Sequence, residues 1–88
     1  MLIHGRKFDI RVWVLITNIN CKEVKDVACY VFKEGYLRTS CFNYELNSKS
    51  LKNRFVHLTN NAVQKNCETY GNYEEGNQMS YKDFDNYL

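Results

Sequence analysis

The sequence contains no proline and only four glycines in 88 residues. The first absence excludes Pro-rich linkers. The second agrees with the lack of any Gly-rich phosphate loop, so a Walker-type nucleotide site is excluded. An excess of one charge is also missing. A formal net charge of +2 is too weak to argue for nucleic-acid binding by electrostatics. No apolar run approaches the length of a membrane span, and Met1 to Lys7 has no apolar core of a signal peptide. Neither a nucleic acid nor a membrane is therefore expected as a partner. The four cysteines, Cys21, Cys29, Cys41 and Cys67, form no C-x-x-C pair, and the two histidines, His4 and His57, lie far apart. That spacing gives a zinc site little support. The reading is a cytosolic chain with free thiols.

What is present is ordinary for a globular chain: 44% apolar and 25% charged residues do not suggest disorder. The length allows one domain at most, with a marginal core of its own. Aromatic residues reach 15%, more than so small a unit easily buries, so part of that surface is expected to meet a segment outside this chain. The fold class expected is α+β, with antiparallel strands, a hairpin and short helices.

Phe8 to Ile16 alternates with period 2 and predicts one strand. Thr17 to Asp26 is polar and predicts a loop. Val27 to Phe32 predicts a second strand, Lys33-Glu34-Gly35 a turn with Gly35 able to supply positive φ, and Tyr36 to Ser40 a third strand closing a hairpin over 27–40. Asn43 to Asn53 predicts a mobile surface loop, and Arg54 to Leu58 a short strand or extended segment. Thr59 or Asn60 would cap a short helix at Ala62 to Lys65. Asn66 to Gln78 is expected to be irregular. Ser80 and Asp83 have capping-box spacing before a last helix of about two turns.

Three groups of residues could carry chemistry. Lys7, Asp9 and Arg11 alternate, so they share one face of a strand. They form either a solvated strip in which Asp9 pairs with its basic neighbours, or part of a nucleotide cleft. In the cleft, Lys7 and Arg11 would neutralise phosphate or carboxylate and Asp9 would accept from a ribose hydroxyl. Arg38 is either a surface arginine or a second anion clamp facing Arg11. His57-Leu58-Thr59-Asn60 runs from an extended segment into a helix N-terminus, where free N–H groups suit an anion. Plain N-capping is the simpler reading of the same residues. Trp13, Tyr30, Phe32 and Phe55 read as core, His4 as an exposed tail residue, and Glu74 and Glu75 as a solvated pair.

The order of these groups carries a resemblance. Gly5 to Leu15 (GRKFDIRVWVL) is similar to the "RKFDIRxWVL" signature of the tubulin–tyrosine-ligase-like family. Phe32 to Ser40 (FKEGYLRTS) resembles its "EGxLRTSS" element, with Cys41 where a second serine usually stands. Phe55 to Lys65 resembles "HLTNxxxQK", and Tyr70 to Asn77 resembles "YGxYExGN". The four elements keep the family's order and span essentially the whole chain.

The resemblance implies part of an ATP-grasp lobe and an ATP-dependent ligase. Such an enzyme joins tyrosine, glutamate or glycine to a carboxylate of the tubulin C-terminal tail through an acyl phosphate. It implies ATP and magnesium as cofactors, the tubulin tail and a free amino acid as partners, and a cytoplasmic, cytoskeletal or ciliary location. The wording of the second and fourth elements leans toward the tyrosine-adding members. Carried over residue by residue, Lys7, Asp9, His57, Leu58, Thr59 and Asn60 would contact the nucleotide. Arg11 and Arg38 would be the catalytic pair near the phosphates and the acceptor carboxylate. No metal ligand is assigned, because the family's metal-holding residues should lie beyond Leu88 and further ATP-binding lysines before Met1. Residues 1–88 are thus expected to be a fragment of the catalytic domain, inactive alone. The alternative expectation is a non-catalytic module that binds acidic tails through Lys7, Arg11 and Arg38.

Overall fold

The segment from Phe8 to Ile16 is not one strand: it lies in two strands that belong to two sheets. The computed structural model describes residues 1–18 and 27–88. It places β1 at Arg6–Arg11 and β2 at Val14–Asn18, with a break at Val12 and Trp13. β3 follows at Val27–Val31 and β4 at Tyr36–Asn43. β1 pairs antiparallel with β4, and β2 with β3.

The four strands therefore form one long antiparallel ribbon with a kink. On one side of the kink lie Val12 and Trp13; on the other lie the four residues Phe32 to Gly35. Lys33-Glu34-Gly35 is part of this bulge and does not reverse the chain. The expected hairpin over 27–40 is corrected: β3 pairs with β2, not with β4, and of the loop expected over 17–26, Thr17 and Asn18 belong to β2 while residues 19–26 fall outside the described residues. The apolar stretch 27–32 finds its match in the equally apolar stretch 13–16. Gly35 is not in the left-handed region; its role is close approach. A Cβ there would collide with the Arg11 carbonyl oxygen and the Tyr81 hydroxyl.

β4 is central in a three-stranded sheet, β1-β4-β5, with β5 at Gln78–Ser80. A second irregularity lies where Ser40, Cys41 and Phe42 stand opposite Lys7 alone. Such bulges re-aim side chains.

Arg54–His57 forms helix α1, where the sequence predicts a short strand or extended segment. Asn53 decides the outcome: its side chain accepts from Phe55 N at 3.0 Å and starts the turn. α2 spans Asn61–Gln64 with Asn60 at its N-cap position. The Asn60 side chain makes no capping bond; its carbonyl accepts from the N–H groups of Val63 and Gln64. Helix α3, Tyr81–Tyr87, starts on Ser80, which accepts from Asp83 N at 3.1 Å, as the capping-box spacing predicts. Phe84 of α3 packs on Phe8, and Tyr87 meets the His4 ring edge-on, so the N-terminal segment is tied to the last helix.

The core is small and half polar. Ile3, Leu37, Cys41, Val56 and Cys67 are buried beside Arg6, Thr39, Ser40, Gln64 and Asn77. The β2–β3 arm adds nothing to it. Val14, Leu15, Ile16, Tyr30, Val31 and Phe32 are 55–67% exposed, which corrects the expected burial of Tyr30 and Phe32. Trp13 is also exposed, whereas Phe55 packs on Phe42. The arm explains the elongated outline, 51 × 31 × 23 Å, and a radius of gyration of 17.1 Å. A compact chain of this length would have about 12 Å. No helix among the described residues is long and apolar enough to cross a membrane.

Candidate functional site

The β1–β4 ladder sets Asp9 opposite Arg38. The Arg38 guanidinium donates from Nε to both carboxylate oxygens at 3.1 Å, and from Nη2 to Oδ2 at 2.5 Å. Thr59, just before α2, donates its hydroxyl to Asp9 Oδ1 at 2.5 Å. Partial burial works against the Asp9 charge, but the hydrogen bonds from Arg38 and Thr59 and the nearby charges of Arg38 and Arg11 outweigh it. Asp9 is held below the usual carboxylate range, and Asp9 in turn raises Arg38 above the ordinary guanidinium value.

Lys7, two residues before Asp9 on the same strand, donates Nζ to the His57 carbonyl oxygen at 2.8 Å. The His57 ring lies within 2.9 Å of Ser50 O and edge-on to Tyr44. Three separate segments thus meet: β1 with Lys7 and Asp9, β4 with Arg38, and 57–60 with His57 and Thr59. Arg11 is exposed and lies 4.9 Å over the Trp13 ring, while its charge still reaches Asp9. Leu58 and Asn60 sit on the converging segment with exposed side chains.

Arg38 does not stand as an unopposed clamp facing Arg11. Asp9 is the internal anion that lets the two guanidinium groups share one face. The cluster lies on open surface. A hollow of about 850 Å³ is lined elsewhere, by Cys41, Asn43, Lys49, Thr69 and Tyr73 among others, and by none of the cluster's side chains.

Behind the cluster lies a second one that the sequence reading missed. Arg6 is wholly buried. It donates from Nη1 to Glu74 Oε2 at 3.0 Å and to Ser40 O at 3.1 Å, and from Nη2 to Glu74 Oε1. Thr39 donates to the same carboxylate at 2.8 Å, and the guanidinium stacks 4.0 Å from the Tyr73 ring centre. Glu74 is therefore a largely enclosed partner of Arg6, which corrects its reading as a solvated residue. Alternation carried the missing signal: if Lys7 and Asp9 face outward, Arg6 faces the core and needs an anion there. Gln64 is the other omission. Its side chain accepts from Cys41 N at 2.9 Å and donates to the carbonyls of Phe55 and Leu58. It fastens the 55–60 segment to β4 and so sets where Thr59 meets Asp9.

No group of three or more His, Cys, Asp or Glu side chains that could hold a metal occurs among the described residues. Asp9 is already occupied by Arg38 and Thr59, so this set does not fit magnesium. Lys7, Arg11 and Arg38 leave this surface with an excess of positive charge over Asp9, which suits an anionic ligand.

The family described as "Tubulin-tyrosine ligase family" matches residues 1–88. "Tubulin glycylase 3D" of Tetrahymena thermophila is 40% identical over 91 residues, covering 100% of this chain and 8% of that protein. "Tubulin monoglutamylase TTLL4" of Mus musculus is 37% identical over 92 residues, covering 99% of this chain and 7% of that protein. "Tubulin polyglutamylase TTLL5" of Mus musculus is 36% identical over 70 residues, covering 80% and 5%. The chain spans less than a tenth of the length of each of these relatives.

Proposed function

The chain belongs to the tubulin-tyrosine ligase family, and from that premise we propose that it forms one wall of the active site of an ATP-dependent ligase that joins an amino acid to a tubulin C-terminal tail. The family implies an ATP-grasp-like fold, with which the small α+β architecture agrees. The observation that carries the reading is the Asp9–Arg38–Thr59 cluster with Lys7 alongside, drawn from three segments.

Lys7, Asp9, His57, Leu58, Thr59 and Asn60 are the residues that would hold ATP. Bound ATP supplies the phosphoryl group that activates the acceptor carboxylate. Arg38 is oriented by Asp9 through Nε and Nη2, which leaves Nη1 without a hydrogen bond to described residues. An oriented guanidinium loses little freedom on meeting an anion, so it suits a developing negative charge. Arg11 adds a second positive charge on the same face. No step is assigned to magnesium here, since the residues present do not fit it.

Residues 1–88 act on this reading as a piece of a longer catalytic domain. The exposed apolar arm and the much greater length of the relatives both support that. The relatives' names make glycine and glutamate the first amino acids to try. The protein would work at the cytoskeleton or in a cilium. The test is transfer of labelled glycine or glutamate onto tubulin with MgATP, using the longest polypeptide that carries this sequence. Labelled tubulin supports the reading; no transfer of glycine, glutamate or tyrosine defeats it.

Arg11 favours a second reading, a module that binds acidic tails without ATP, because its guanidinium has no carboxylate partner among the described residues. Binding of a Glu-rich peptide that needs no MgATP and weakens with salt would single out this reading.

A further inference from the structure

Cys41 and Cys67 are both free thiols and both buried, 3% and 7% exposed. They come from distant parts of the chain, β4 and the turn after α2. Each is fixed to the same atom: Cys67 N donates to Gln64 O at 2.9 Å, and Cys41 Sγ donates to that oxygen at 3.9 Å. Asn77 Nδ2 donates to Cys41 Sγ at 3.3 Å from one side, and Thr69 Oγ1 lies 3.4 Å from Cys67 Sγ on the other. Nothing in the ligase reading uses either thiol. We propose that Cys41 and Cys67 form an oxidation site, a dithiol that closes to an internal disulfide when a peroxide reaches it.

Cys41 Sγ and the Cys67 backbone are anchored on one carbonyl, and the two thiols are unequal. Burial disfavours the Cys67 thiolate, but the Thr69 hydroxyl, the Thr69 N–H and Cys41 outweigh it and leave Cys67 below an ordinary thiol. Burial, reinforced by Cys67, pushes Cys41 up. One thiol is thus readied as nucleophile while the other keeps its proton until needed. Cys67 thiolate attacks one peroxide oxygen, the O–O bond breaks, and a sulfenic acid and hydroxide form; the hydroxide takes up the proton that the Cys67 thiol released on ionising and becomes water. Cys41 then attacks that sulfur, loses its proton to the departing hydroxide, and releases a second water. Two thiols are oxidised by two electrons and one peroxide is reduced to two waters. The 850 Å³ hollow has in its wall Cys41 and Thr69, the hydroxyl neighbour of the Cys67 thiol. The bond would fasten β4, three residues beyond Arg38, to the turn after α2.

The test uses the longest polypeptide that carries this sequence, with Cys21→Ser and Cys29→Ser so that Cys41 and Cys67 are the two thiols left in residues 1–88, alongside the unsubstituted polypeptide. Each is treated with hydrogen peroxide, folded or in urea, then alkylated and mapped without reductant. The expected product is a monomer, two hydrogens lighter, with Cys41 and Cys67 in one cross-linked peptide pair that dithiothreitol separates. It should form at least about tenfold faster folded than in urea, a factor worth 1.4 kcal/mol. Equal rates would reduce the pair to chance closure. Sulfinic or sulfonic acid without a cross-link, or two thiols still open to alkylation, would overturn the proposal. The unsubstituted chain gives the same peptide map if the substituted one does not fold.

Discussion

Asp9 and Arg38 face each other across the β1–β4 ladder and are joined by three hydrogen bonds, so the guanidinium is fixed before any ligand arrives. In the ligase proposed above, Arg38→Ala should lower the turnover by about a hundredfold, the scale of one lost charge-stabilising donor. ATP affinity should stay within a few-fold, because Lys7, Thr59 and the start of α2 remain. Initial rates and calorimetric ATP titration read the two separately. Unchanged turnover would remove Arg38 from its role.

Asp9 gives a prediction in pH. Its folded pKa lies below 3.8, the ordinary value. A depressed carboxylate stabilises the fold at pH above its unfolded value and loses that contribution as pH falls through the folded one. The urea midpoint of the natural chain should therefore exceed that of Asp9→Asn above pH 3.8, with the gap closing as the pH drops further. A gap that persists unchanged in strong acid contradicts the pairing.

The Arg6–Glu74 pair is buried, with side-chain exposures of 0% and 11%. Removing one member strands the other. Glu74→Ala should cost about 3–5 kcal/mol in urea unfolding. Arg6→Met with Glu74→Leu should cost less than the two single changes added together. Strict additivity would mean that the residues do not act as a pair.

Gly35→Ala should destabilise the chain by about 1–3 kcal/mol through overpacking. Tyr81→Ala should not rescue it, because the Arg11 carbonyl oxygen still blocks the new methyl group. Thermal or urea melting of the single and double variants decides the point.

Local chemistry was legible in the sequence where it was governed by neighbours in the chain. The Ser80–Asp83 cap, the strand character of 8–11 and 14–16 and the last helix all follow from residues within a few positions. Partner choice was not. Alternation runs unbroken through Val12 and Trp13, yet the strands change partners there, because period 2 reports extension and says nothing of what lies alongside. Arg54–His57 misled for a related reason: Phe55 and Val56 suit a strand, and the single amide of Asn53 tips the balance toward a turn of helix. Lys7, Asp9, Arg38, His57 and Thr59 do gather in one place. The buried brace of Arg6, Glu74 and Gln64 behind them depends on pairs up to 68 positions apart, beyond the reach of any local pattern.

The β2–β3 arm bears on how this polypeptide behaves in a test tube. Among the described residues each of its strands has one partner, so an outer edge of each is open, and greasy side chains flank those edges. Such a ribbon invites strand addition by other copies. Handling and yield of the isolated piece are then governed by a stretch remote from Asp9 and Arg38. Lysines at Val14 and Val31, directly opposed on the ladder, would repel one another and discourage stacking while leaving the charged cluster alone.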